Sequence, residues 1–456
     1  MRHLLPALSL LVVPAAALAN TPDDVFGVTP RTIAMGGAGT ALAEDHGAVH
    51  YNPAALTGCP SSQVALDVSR ISHHLSFTDE NTAAPEPLVP RRARDQTRFT
   101  LGTCLALPFD LHFGFMLNLG IPGAISLDQE TANKTPSFVM YGEANEQVSI
   151  ALGLGWKVTP TLSLGAGLAV LFATNLPLTA DFPILEPDPA EPSGYRPVAF
   201  GLGVSMDAVV APRLGLLWSP TPKLKLGAAY RGPVYHDLDV DAQIIAKLIV
   251  EIPVPVHVDS LGWFSPRQLS AGFSAEPADG LTVAGDVTYY RWGELRTQES
   301  SYPFLNMYSL DPEGASGALV FPRPINSGWK NNLAVRAGLE KTSGSIAVRG
   351  GLGYRTAAVN SAEDSNVNLL DAPVVTASAG FTWKTGDTTK SKSPRTWWRY
   401  TLPDVRFQAD LFVRIDHLIE QRVDHDAASV TAEVPTKHYT FGGNVLQFGA
   451  QATLGW

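Results

Sequence analysis

Three charged residues in this sequence are placed so that their side chains should meet. Asp286, Arg336 and Arg349 lie in successive segments of alternating apolar and small residues, each on the inward phase. Each is about six or seven residues from a tight turn, which predicts one common height. Like charges opposed on neighbouring strands repel unless an anion lies between them. Asp286 itself, Glu44, Asp45 or the carboxylate of a bound molecule could supply that anion. The set therefore reads as a structural charge network or as a carboxylate contact.

Other candidate chemistry is thin. His46 and His50 have the spacing of a metal pair on one helix face, but they fall in a Gly-rich stretch without a third ligand. His73 and His74 read as neighbours in a strand. No Gly-x-Ser-x-Gly elbow occurs, and Gly165-Ala166-Gly167 is a pair of inward glycines in a strand, since no helix follows to cradle phosphate. These patterns give no catalytic residue, metal site or cofactor, and the chain is not expected to be an enzyme. Cys59 and Cys104 are the only cysteines. An exported chain permits a bridge between them, and two buried inert thiols are the alternative.

The elements that carry these residues are strands. From residue 64 the chain repeats an alternating strand, a short turn, a second alternating strand and a long loop. In 148–158, Val148, Ile150, Leu152, Leu154, Trp156 and Val158 share one face, and Ser149, Ala151, Gly153, Gly155 and Lys157 share the other. Fourteen segments follow this pattern, beginning near Val64, Thr97, Leu111, Val148, Thr161, Pro212, Lys223, Arg267, Leu281, Asn331, Ser345, Val374, Asp404 and Asn444. Most have about nine to thirteen residues, the length of a tilted strand crossing a bilayer.

Short turns fall at Phe109-Asp110, Thr159-Pro160, Pro220-Thr221-Pro222, 277–280 and Thr342-Ser343-Gly344. Long loops cover 77–96, 122–147, 174–211, 232–266, 293–330, 356–373 and 417–443, and a basic connection runs over 385–403. Short turns at one end and long loops at the other mark an outer-membrane barrel. The last segment alternates through Phe448, Ala450, Ala452, Leu454 and Trp456, as a closing strand with an aromatic at the interface would. A soluble β-sandwich also alternates, but needs neither an even strand count nor this alternation of loop lengths.

Composition agrees. Charged residues make up 17% of the 456, and 40 are glycine; a low charge content suits a surface facing lipid. The formal charge is −10 with no basic stripe, which excludes nucleic acid as an expected partner. Arg2 and His3 precede an apolar run over 4–18, and Ala17-Leu18-Ala19 closes it, so 1–19 reads as a signal peptide cleaved after Ala19. The expected organisation is a signal peptide over 1–19, an N-terminal segment over 20–63 and an all-β transmembrane antiparallel barrel over 64–456.

The segment 20–63 is small-residue rich: Ala34-Met35-Gly36-Gly37-Ala38-Gly39, then Tyr51-Asn52-Pro53-Ala54-Ala55. About 44 residues of this kind cannot bury a core of their own, and a barrel lumen can contain them. With the acidic residues between the two motifs, this segment resembles the start of the FadL-type outer-membrane transporters of long-chain fatty acids and other hydrophobic compounds. The resemblance continues through Gly227-Ala228-Ala229-Tyr230-Arg231 and through Leu281 to Trp292 with Asp286. It extends to Trp329-Lys330-Asn331-Asn332, Arg336-Ala337-Gly338 and Arg349-Gly350-Gly351-Leu352-Gly353-Tyr354.

The resemblance implies an N-terminal hatch inside the barrel, with Gly36, Gly37, Asn52, Pro53 and Ala54 as its motif. It implies an apolar ligand such as a fatty acid, captured by outer loops, and sideways exit at a kinked strand. Here Gly120, Pro122 and Gly123 at the end of the third strand would make the kink; an ordinary strand end is the alternative. Loop capture would fall to Ile244, Ile245, Leu248 and Ile249, unless that stretch is a strand extension packed on its neighbour, with Phe182 and Ile184 of the third long loop as a second candidate. It further implies a monomer in the outer membrane of a Gram-negative bacterium, in contact with outer-membrane lipid and inserted by the barrel-assembly machinery. A structural or secretion-linked barrel of the same shape is the second reading.

Overall fold

The computed structural model describes residues 18–19, 22–80, 90, 93, 95–121, 136–141, 148–171, 176–187, 195–204, 209–247, 251–295, 328–362, 369–385, 395–397, 400–402, 405–426 and 437–456. Fourteen antiparallel strands close into one barrel. They are β1 (Gln63–Asp79), β2 (Gln96–Leu107), β3 (Leu111–Ile121), β4 (Val148–Thr159), β5 (Leu162–Leu171), β6 (Val209–Thr221) and β7 (Leu224–Arg231). There follow β8 (Gln268–Ala278), β9 (Leu281–Tyr290), β10 (Asn332–Ser343), β11 (Ile346–Arg355), β12 (Val374–Lys384), β13 (Arg406–His425) and β14 (Lys437–Gly455). Each wall strand pairs with its neighbour in sequence, and β14 closes on β1 with Leu454 opposite Val64.

Alternation sets the two faces. Along β11, Val348 and Leu352 are exposed outward at 55% and 64%, while Ala347 and Arg349 are buried inward. The same outward face carries Leu154, Trp156, Leu214, Trp218, Leu411, Phe448 and Trp456, all exposed. In water such a band would be costly; in lipid it is the required solvent-facing surface. The turn between β2 and β3 holds Phe109 and Asp110 at positive φ (65° and 58°), the left-handed pair that a tight hairpin turn uses.

The strands begin within three residues of expectation except β14, which starts at Lys437 rather than near Asn444. Its extra length pairs with β13 as far as His425, so much of the loop expected over 417–443 is ladder. The expected loops 174–211 and 232–266 are also corrected. Leu176–Pro187 pairs with Tyr195–Val204, and Val234–Lys247 pairs with Glu251–Ser265. Backbone donors and acceptors in long connections need partners, and a hairpin supplies them locally. Of the expected signal peptide only Leu18–Ala19 is described, paired parallel to Trp263–Phe264; the rest of 1–19 lies outside the described residues.

The N-terminal segment packs against the inward face of the wall. It forms α1 (Pro22–Phe26), α2 (Pro30–Ala34), α3 (Ala48–Tyr51) and a 3-10 turn (Pro53–Gly58). Wall glycines let its backbone come close. A Cβ on Gly165 of β5 would collide with the backbone of Pro53 and Ala54, and one on Gly338 of β10 would stand 2.6 Å from the Met35 carbonyl. Gly227 and Gly351 meet the segment's backbone in the same way, and Gly102 and Gly114 make room for its His46, Val49 and Leu56 side chains. Cys59, just past the 3-10 turn, is bridged to Cys104 of β2, which decides the open question of the two thiols.

Candidate functional site

The short helix α1 has two consecutive aspartates, and they tie it to two separate arcs of the wall. Asp23 pairs with Arg98 of β2 and accepts from Asn118 of β3 at 2.9 Å and Ser149 of β4 at 3.2 Å. Asp24 pairs with Arg231 of β7 and accepts from Gln268 of β8 at 2.6 Å. A helix this short has little stability of its own, so these side-chain bonds hold it in place.

Beside α1 lies a cleft with about 690 Å³ of space free of protein atoms, part of it open to solvent. Asp23, Asp24, His50, Arg98, Asn118, Arg213, Arg231 and Gln268 line it. Ile150, Ala169, Ala211 and Val234 add apolar wall. His50 lies 3.1 Å from the Arg231 guanidinium and 3.4 Å from Asp24. Burial, with Arg231 beside it, lowers its pKa to about 4, so the ring is neutral at neutral pH. A second, smaller cleft shares Asp23, Asp24, His50 and Arg231 and adds Asp286, Tyr290, Arg336 and Arg414.

The three charged residues singled out from the sequence do not share one level. Asp286 and Arg336 are direct register partners on β9 and β10. Arg336 stands opposite Gly353, however, and Arg349 stands opposite Glu340. In a hairpin, opposed residues are equally far from the turn, and Arg349 is four positions closer to it than Gly353. Asp286 accepts from the Gly39 and Thr40 amides and the Thr40 hydroxyl, at 2.7, 2.9 and 2.9 Å. Arg336 donates to Thr288 and Tyr290. Arg349 belongs to a separate chain of charges with Glu340, Thr382 and Asp410. Arg31 of α2 holds Glu340 at 2.8 and 3.0 Å and reaches Glu44. Burial opposes the charge on Arg31, but Glu340 and Glu44 outweigh it and hold its pKa above the ordinary value.

Asn52 and its neighbours are also placed. The Asn52 side chain accepts from the Ala54 amide at 3.1 Å and donates to Thr40 at 2.8 Å and to Leu216 of β6 at 3.0 Å. Pro53 and Ala54 lie against Gly165 and Gly215, and Gly36 and Gly37 take positive φ beside Leu352 and Arg336. His46 is fully buried against Gly102, apart from the wall contacts of His50.

On the long-loop side an apolar cluster gathers Phe26, Phe138, Tyr141, Phe264, Trp292, Trp329, Tyr439 and Phe441. Trp292 and Trp329 stack at 4.8 Å, and Phe264 meets Trp292 edge-on at 5.8 Å. Val25 and Phe26 join α1 to this cluster, so one helix touches both the apolar cluster and the polar cavity.

A family described as outer membrane protein transport protein (OMPP1/FadL/TodX) matches residues 24–391. The chain belongs to that family. Alkane uptake protein A of Marinobacter nauticus is 23% identical to it over 384 residues, 81% of this chain and 80% of that protein. A FadL homologue of Pseudomonas aeruginosa has the same fold, with a TM-score of 0.54 at 14% identity over 94% of this chain and 97% of that one. The toluene transporter TodX of Pseudomonas putida matches with a TM-score of 0.53 at 16% identity, over 95% and 99%. As a FadL/TodX-family barrel of fourteen strands, the protein resides in the outer membrane of a Gram-negative bacterium.

Other sequence candidates fall elsewhere. In this family member Gly120 and Ile121 stay in the ladder opposite Arg98 and Thr97, while Pro122 and Gly123 lie outside the described residues. Ile244 and Ile245 sit in the hairpin strand Val234–Lys247, and Phe182 and Ile184 in Leu176–Pro187, both in sheets apart from the barrel wall. Leu248 and Ile249 lie outside the described residues. Sequence reading missed Asp23, Asp24, Arg98, Glu340 and Asp410. Glu340 had a usable signal, because it shares the inward phase of β10 with Arg336.

Proposed function

We propose that this barrel is a passive channel for hydrophobic small molecules, long-chain fatty acids among them. The observation that carries the reading is the aromatic cluster on the long-loop side, continuous through Val25 and Phe26 with the N-terminal segment packed on the inward face of the wall. An apolar molecule gains about 0.8 kcal/mol per CH₂ buried there, enough to capture a long chain from water without any chemical step. In this reading, residues 20–63 of the secreted chain form the hatch, freed by cleavage after Ala19. Its displacement opens the path, and exit is sideways near Gly120, Pro122 and Gly123. The family match supports the transport class, and the names of the alkane and toluene relatives support an apolar cargo.

The test is uptake of labelled oleate, dodecane and toluene by a deletion strain, with and without the wild-type gene restored. Restored uptake of at least one supports the reading, and its pattern identifies the cargo. Equal uptake of all three with and without the gene would overturn it.

A further inference from the structure

Charge is distributed unevenly around the barrel wall. Six consecutive strands, β2 to β7, contain Arg98, Lys157, Arg213, Lys225 and Arg231 and neither aspartate nor glutamate. Lys157 is exposed near the turn after β4, and the other four meet the N-terminal segment. Arg98 pairs with Asp23, Arg231 with Asp24 and Lys225 with Glu44. Arg213 has no carboxylate: among the described residues its side chain donates only to the Val49 carbonyl, at 2.8 Å. The bordering strands do not make up the difference. Asp67 of β1 keeps Oδ2 without a partner, and Glu276 of β8 accepts from the Gly280 amide at its turn. The far side of the wall carries both signs and pairs them within itself, Glu340 and Asp410 with Arg349 and Asp416 with Arg414.

The counter-charge for this arc therefore sits on the N-terminal segment. Over 20–63 its side chains are Asp23, Asp24, Glu44 and Asp45 against Arg31, four negative charges and one positive, a net of −3. Three of those carboxylates neutralise three of the four cations. A displaced segment carries them away and leaves three guanidinium groups and one ammonium group on one arc of the passage. Displacement frees no matching set of carboxylates. Arg31 leaves Glu340, which keeps Arg349, and Asp286 loses the segment's donors but stands opposite Arg336 in register. A cleft lined by one sign of charge between low-dielectric walls concentrates ions of the other sign, and Arg and Lys linings are how pores select anions.

We infer that the passage opened by displacing the N-terminal segment is anion-selective, with Arg98, Arg213, Lys225 and Arg231 setting the preference and the segment's carboxylates masking it in the packed state. The inference rests on the displacement step of the channel reading. The experiment uses the full-length protein in planar bilayers of uncharged lipid, with the reversal potential measured across a potassium chloride gradient. Two variants open the passage without changing any charge: Gly165→Val crowds the Pro53–Ala54 backbone, and Gly338→Val crowds Met35 on the other side of the barrel. Heat-modifiable electrophoretic mobility shows that each barrel is folded. Chloride is expected to permeate on the order of tenfold more readily than potassium at low salt, and the preference should shrink at high salt, where charges are screened. Adding Arg98→Gln, Arg213→Gln and Arg231→Gln to either variant should bring the ratio close to one. Equal permeation or a potassium preference in the opened variants overturns the inference and leaves the channel reading standing, and so does a chloride preference that survives the three glutamines. Folded barrels that pass no ions in either variant overturn the displacement step and the inference with it.

Discussion

Replacing Asp286 with alanine should release the N-terminal segment while leaving the barrel standing. The carboxylate is 4% exposed and receives three donors from the segment: the Gly39 amide, the Thr40 amide and the Thr40 hydroxyl. The hydroxyl can rotate toward another acceptor, but the two amides cannot. Each buried amide left unsatisfied costs about 1–3 kcal/mol, so the packed state loses about 2–6 kcal/mol. Part of this is offset because a desolvated carboxylate is no longer buried. The β9–β10 ladder keeps all its backbone pairs, from Leu281 with Lys341 to Tyr290 with Asn332. Opening of the segment should therefore become on the order of thirtyfold more populated, since 1.4 kcal/mol is a factor of ten. Trypsin cleavage after Arg31 of α2 reads that population, with heat-modifiable migration as the check on the barrel. Asp286→Asn keeps one acceptor and should fall between. Cleavage at the wild-type rate in Asp286→Ala, with an intact barrel, would refute the claim that this carboxylate anchors the segment.

Further outcomes follow from the same packing. Gly165→Val places branched carbons against the Pro53–Ala54 backbone; the segment should be displaced there, and influx of a small hydrophilic dye into proteoliposomes should rise while the barrel still inserts. His50 is neutral when packed, with a pKa near 4 against an ordinary 6.5, and faces Asp24, Arg231 and Arg213. Its contribution to packing is complete above pH 6.5 and is lost as pH falls toward 4, because only the displaced segment takes up the proton. Hydrogen exchange over residues 22–58, corrected for intrinsic rate, should speed up between pH 7 and pH 4.5, and His50→Gln should flatten that change. Reduction of the Cys59–Cys104 bridge, which closes a separation of 45 residues, should lower resistance of the unfolding transition to denaturant by up to about 4 kcal/mol; an unchanged midpoint in dithiothreitol would contradict this.

The wall was legible in the chain alone. Period-two alternation is a local property, so fourteen strands, their inward and outward faces and their turns could be read residue by residue; a one-residue slip would have turned Val348 inward and Arg349 to lipid. The tight turns followed from local chemistry as well, as at Phe109-Asp110. What lies inside the wall was decided only by tertiary structure. Arg31 finds Glu340 across 309 positions, and Asp24 finds Gln268 across 244, and no local pattern encodes such pairs. Asp286 was visible as an inward charge, but its partners Gly39 and Thr40 were not. Arg349 was given the wrong height because it stands only three residues from Ile346 at the turn, whereas Arg336 stands seven from Ser343, and in their shared hairpin Arg349 therefore meets Glu340. The aromatic cluster joins residues from α1 to β14, each unremarkable where it stands in the chain. Closure of the barrel brings them to one end and sets the polar cavity beneath them.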